Sequence, residues 1–190
     1  MKWPTLLSLL LAPALAFAAT QLAPDSVWQS PGQYTAQNQQ AFRLADRRGS
    51  AQIVGMFYSA CPYMCPLIID TGLGIDHALT PAERTRLRVL LVSIDPGRDT
   101  PAVLSALAKK RRLDTTRWTL ARTDEDSVRK LAAVLGVRYR RLASGDYNHT
   151  SALILLDAEG RIVARTEHMG ATPDPAFLAA VHRTLAARSK

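Results

Sequence analysis

The spacing of apolar and polar positions changes along this chain, and the changes mark out a succession of elements. Residues 52–59 (QIVGMFYS) are a short run rich in β-branched and aromatic side chains, which predicts a buried strand. The spacing over 66–79 predicts a helix, weakened by Gly72 and Gly74. Residues 87–94 (LRVLLVSI) are apolar enough for a strand covered on both faces. Asp99-Thr100-Pro101 then places a capping residue before a proline and opens a helix to about Arg112. Its basic C-terminal end complements the helix dipole. A short strand is predicted at 118–121 and an amphipathic helix at 124–135, closed by Gly136. Residues 151–157 and 161–166 read as strands joined through Ala158-Glu159-Gly160, a hairpin signal, and 174–187 as the last helix. No repeat, low-complexity tract or linker interrupts the series. Strands alternating with helices in this way predict an α/β sandwich with helices on both faces of the sheet.

The first segment reads as an address. Lys2 precedes an apolar run from Leu6 to Ala19, broken by Ser8 and Pro13, and the run contains Ala16-Phe17-Ala18, small residues at the −3 and −1 positions of a cleavage site. The pattern predicts a secretory signal over residues 1–19 and one domain over 20–190, with an uncleaved anchor as the alternative. No cysteine lies at the cleavage site, which excludes a lipoprotein. Export implies a periplasmic, oxidising setting. With 24 Lys and Arg against 16 acids, the chain carries a formal charge of +8. The basic runs at 109–112 and 138–141 lack the interleaved aromatic residues that stack on bases, so nucleic acid is not the expected partner. Acidic proteins or an anionic membrane surface are.

The candidate chemistry lies in Tyr58-Ser-Ala-Cys61-Pro-Tyr-Met-Cys65-Pro66, a C-x3-C directly after a strand. A proline after each cysteine favours extended backbone there and puts Cys65 at the start of the following helix. A thiol at a helix N-terminus ionises more readily, which favours metal binding and thiol exchange alike. Three readings stay open: a structural disulfide, a redox disulfide between Cys61 and Cys65, and a pair of thiolate ligands. Redox motifs in this setting are usually C-x2-C, and a structural bridge across so short a loop would gain little. His149, before the strand that starts near residue 152, is the available third ligand, because the start of that strand faces the start of the cysteine-bearing helix; a solvated surface histidine is the alternative. Two thiolates and an imidazole make a soft trigonal set suited to Cu(I).

From about Val27 to its end the chain resembles the SCO/SenC family. The matching residues are F-Y-S-x-C-P-x-x-C-P at Phe57–Pro66, Asp95-Pro96-x-x-Asp99-Thr100-Pro101, and His149 before a strand ending in Asp157-x-x-Gly160. The resemblance implies a thioredoxin-like fold with a central mixed β-sheet, and one copper ion, Cu(I) or Cu(II), held by Cys61, Cys65 and His149. It implies delivery of that copper to the apo cytochrome c oxidase subunit or another cuproenzyme, after receipt from a periplasmic copper donor. The chain departs from the family where Tyr63-Met64 replaces an Asp between the cysteines and where Asn148 replaces an Asp before the histidine. A thiol–disulfide oxidoreductase that reduces the target's cysteines is the second reading, and a redox-sensing or scaffold protein the third. Among auxiliary candidates, Met64 offers a further soft ligand or a docking surface, and Asp95 and Asp99 could orient the site, although Asp99 could equally cap a helix. His168 and Met169 follow the strand 161–166, whose direction brings at least one of them back towards the cysteine loop as a weaker second site or auxiliary ligand, with a surface histidine and a packing methionine as the alternative.

Overall fold

The chain enters its sheet earlier than the apolar pattern announces. The computed structural model describes residues 22–61 and 64–187, the side chains of residues 64 and 65 excepted. The expected signal segment, residues 1–19, lies outside the described residues. β1 (Tyr34–Ala36) and β2 (Ala41–Phe42) form a small antiparallel hairpin with the rings of Tyr34 and Phe42 stacked at 5.6 Å. Strands of three and two residues are too short to display an alternation, which is why the sequence pattern passes over them.

The predicted elements then follow in order. β3 (Ala51–Phe57) is buried at every position, and α1 (Met64–Ala78) begins two residues before the expected start. A single-turn helix α2 (Pro81–Arg84), opened by a Thr80–Glu83 capping box, leads into β4 (Leu87–Ser93). α3 (Pro101–Lys110), β5 (Trp118–Arg122) and α4 (Glu125–Val134) come next. The N-cap of α3 is Thr100, whose hydroxyl accepts from Val103 N; the alternative that Asp99 caps this helix is not what the fold adopts. Two short strands, β6 (Tyr139–Arg141) and β7 (Tyr147–His149), pair with each other as a separate ribbon. His149 therefore ends a strand of its own instead of sitting in a loop. β8 (Leu153–Leu156), β9 (Ile162–Thr166) and α5 (Pro175–Ala186) complete the chain.

Seven strands make one mixed sheet in the order β2-β1-β5-β4-β3-β8-β9. β3, β4 and β5 run parallel, while β8 lies antiparallel to β3 and β9 to β8. β3 and β4 are buried on both pleat directions, Arg88 excepted, so both sheet faces are covered, as continuous apolar strands require.

The glycines that made α1 look weak are sites of close approach. A Cβ at Gly72 would lie 2.6 Å from Trp118 Cη2, and one at Gly74 would lie 2.3 Å from the Ala171 carbonyl oxygen. Helix propensity favours Gly72→Ala by roughly 1 kcal/mol, whereas forcing a methyl against a fully buried indole costs roughly 1–3 kcal/mol. The steric cost is expected to win. A urea titration should show Gly72→Ala less stable than the parent; a gain in stability would contradict the packing described.

Candidate metal centre

Strand register brings the two candidate ligand segments to one end of the sheet. Gly55, near the end of β3, pairs with Leu153 at the start of β8. Cys61 follows the end of β3 by four residues, and His149 precedes the start of β8 by four. Antiparallel pairing therefore leaves both at the same end of the sheet. Cys65 is the second residue of α1, as its proline context predicts, and its side chain lies outside the described residues, as does that of Met64.

Tyr58 joins the two segments physically. It is 2% exposed, and its hydroxyl hydrogen-bonds the Cys61 side chain. The same hydroxyl donates to the Tyr147 carbonyl at 3.5 Å and accepts from the Tyr147 N–H at 3.4 Å. Its ring meets those of Tyr147 at 5.4 Å and His149 at 5.9 Å, both edge-on, a favourable aromatic geometry. Burial pushes the Tyr58 phenol above its ordinary pKa, and the neighbouring Cys61 thiol pushes the same way. The phenol thus stays protonated beside the sulfur.

Burial lowers the pKa of His149, with a smaller opposing effect from its contact with the Thr150 backbone. Its Nδ1 lies 3.1 Å from the Thr150 carbonyl oxygen. A carbonyl only accepts, so this contact assigns the proton to Nδ1 and the lone pair to Nε2, the neutral tautomer that binds metals. A backbone carbonyl orienting a ligand histidine is a common outer-shell arrangement.

The two aspartates hold this geometry from beneath. Asp99 is fully buried, accepts the Ser59 N–H at 3.0 Å and the Ser93 hydroxyl at 2.5 Å, and is bonded by the Ser59 hydroxyl as well. It therefore fixes the backbone two residues before Cys61. Asp95 pairs with Arg98, whose guanidinium lies 5.9 Å above the Tyr58 ring and donates to the Gly145 carbonyl at 2.9 Å. Arg98 thereby ties the end of β4 to the loop between β6 and β7. Asp99→Ala would leave the Ser59 N–H and two hydroxyls without their buried acceptor, at a cost of roughly 1–3 kcal/mol. The expected result is a lower melting temperature together with faster alkylation of Cys61, read by mass spectrometry. Unchanged reactivity of Cys61 would mean that Asp99 does not govern the loop.

The remaining candidates are more dispersed. Met169 packs on α1, its sulfur 3.8 Å from the Thr71 hydroxyl, and Gly170 N donates to that hydroxyl at 2.8 Å; the His168 side chain is exposed. Among the described residues no three His, Cys, Asp or Glu side chains converge as a metal cluster, so the described part of the candidate set is Cys61 with His149. Sequence reasoning passed over Tyr58, Arg98 and Tyr147. A tyrosine three positions before Cys61 was the one visible signal, whereas Arg98 and Tyr147 become neighbours of the site only through tertiary contacts.

A buried parallel strand running into a cysteine–proline loop, faced by a histidine on a separate ribbon, defines a thioredoxin-like protein with a thiol–imidazole site. The SCO1/SenC family pattern matches residues 21–186, and the chain belongs to that family. A protein of Stutzerimonas stutzeri described as copper-binding is 26% identical over 130 residues, which cover 66% of this chain and 62% of that relative. The solved structure of Bradyrhizobium japonicum ScoI with copper bound has a TM-score of 0.65 at 23% identity, covering 81% of this chain and 97% of that one. BsSco, described as having a disulfide switch and belonging to the Sco family of cytochrome c oxidase assembly proteins, has a TM-score of 0.69 at 16% identity, covering 84% of this chain and 94% of its own.

Proposed function

We propose that this chain is an exported copper chaperone. It carries one copper ion between Cys61, Cys65 and His149 and delivers it to the copper centre of cytochrome c oxidase or a related cuproenzyme. The observation that carries the reading is Tyr58, which touches Cys61 through its hydroxyl and His149 through its ring, so that thiol and imidazole sit on two sides of one buried side chain. Membership of the SCO1/SenC family, a relative described as copper-binding and a similar fold solved with copper bound support the same reading. Two thiolates and a neutral imidazole suit Cu(I), and the ion is cargo, held firmly enough to carry and released to a competing site. The run over residues 1–19 acts as the export signal, and the periplasm is the setting.

Without metal, air oxidation joins Cys61 and Cys65 in a disulfide; two thiols lose two electrons and two protons to dioxygen, which leaves as hydrogen peroxide, and copper uptake is blocked until they are reduced. The test is metal analysis of the reduced protein after copper loading and desalting. One copper per chain is expected, and His149→Ala should weaken retention while leaving thiol exchange intact. A chain that keeps no copper but still exchanges disulfides would overturn the chaperone reading in favour of an oxidoreductase.

A further inference from the structure

The ribbon that carries His149 also carries three exposed arginines. Arg138 immediately precedes β6, and Arg140 and Arg141 lie on it. Arg140 is paired in register with Asn148, and Tyr139 with His149. None of the three arginines forms an ion pair among the described residues. The acids on this side are engaged elsewhere: Glu167 with Arg165 at 2.9 Å, Glu125, which shares a cleft with Arg140 and Arg141, with Arg129 at 4.0 Å, and Asp146 with the Ser144 hydroxyl at 3.1 Å. His149 lines an open cleft of about 400 Å³ together with Arg138 and Arg140. Cys61 lines a second cleft with Tyr58 and with Lys110, which is exposed and likewise forms no ion pair among the described residues. Cation side chains therefore line a cleft beside each of the two candidate ligands, His149 and Cys61.

We infer that the β6–β7 ribbon is the docking surface for the copper-exchange partner, and that this partner is a protein with Asp and Glu side chains around its own metal-binding thiols; the inference rests on the copper reading above. Arginine suits this task because its planar guanidinium meets a carboxylate through two parallel hydrogen bonds. An anionic membrane is the less fitting occupant. The only large apolar side chain exposed on the ribbon or its turn is Leu142, at 37%, whereas surface binding to lipid needs an apolar face as well as charge. A lipid also offers no thiolate to receive a soft ion.

The experiment uses two synthetic dithiol peptides of equal length, one with glutamates flanking its cysteines and one with glutamines in their place. Stopped-flow transfer of Cu(I) from the loaded protein is expected to be on the order of tenfold faster to the glutamate peptide at low salt. The advantage should shrink as ionic strength rises to about 0.15 M and vanish in Arg138→Gln/Arg140→Gln/Arg141→Gln. Equal rates for the two peptides at low salt would overturn the docking, and so would a triple variant that keeps the preference. Binding of the parent to phosphatidylglycerol vesicles, lost in the triple variant and unaccompanied by any peptide preference, would reassign the ribbon to a membrane. A parent that takes up no copper would overturn the function proposed above and leave docking to be judged separately. In that case fluorescence anisotropy of the labelled peptides against the reduced, metal-free protein decides it, with tighter binding of the glutamate peptide expected and equal binding fatal.

Discussion

Cys61→Ser or Cys65→Ser is expected to lower Cu(I) affinity by more than about 100-fold, beyond the span typical of outer-shell changes. The reason is ligand softness. A thiolate shares polarisable electron density with Cu(I), whereas the serine hydroxyl is a hard oxygen that stays protonated at neutral pH. His149→Ala should cost less, because the two thiolates that remain still form a soft pair. Competition against a chromophoric Cu(I) chelator separates the three variants, and the ordering matters as much as the size. A cysteine variant holding copper as tightly as the parent would remove the thiolates from the ligand set. Tyr58→Phe refines the picture. It keeps the ring against His149 and removes the hydroxyl beside Cys61. Affinity should fall modestly and the thiolate-to-Cu(II) charge-transfer band should shift, a readout that a packing role alone would not move.

Asp76→Ala is expected to destabilise the fold by about 3 kcal/mol or more while leaving the copper site intact. Asp76, near the end of α1, receives two hydrogen bonds from Arg117, at 2.6 and 3.0 Å, and both side chains are 9% exposed. Asp76 is also the leading cause that raises the Arg117 pKa, with desolvation opposing it. Removing the carboxylate leaves a buried guanidinium with the half-exposed Asp114 at 2.8 Å and the Arg84 carbonyl oxygen at 3.4 Å. For a chain of this size the melting temperature should drop by roughly 6–12 °C. Asp76→Leu/Arg117→Met should recover much of the loss, since two well-packed apolar side chains avoid the desolvation of both charges. Arg117 immediately precedes β5, at the opposite end of the parallel strands from Cys61, so the folded variant should bind copper normally. A variant with an unchanged melting temperature would show that the pair contributes nothing net.

What the sequence determined alone is the part written in local pattern. β3 and β4 are continuous apolar runs, α4 is amphipathic with Asp124 as its cap, and the β8–β9 hairpin turns at Gly160, where φ is +84°. Such features are encoded within a window of a few residues, so burial, capping and turn chemistry expose them without knowledge of the fold. The cysteine loop and its prolines were legible for the same reason. Tertiary structure decided the rest. β1 and β2 are strands because β5 offers β1 an edge, not because their few residues prefer it. Of the two roles open to Asp99, the fold adopts the one beneath the site, because Thr100 fills the helix cap and the buried Ser59 and Ser93 groups need an acceptor. Tyr58, Arg98 and Tyr147 join the site from segments separated by 40 to 89 positions. Contacts across such distances form only when register and strand order are complete, and no local pattern records them.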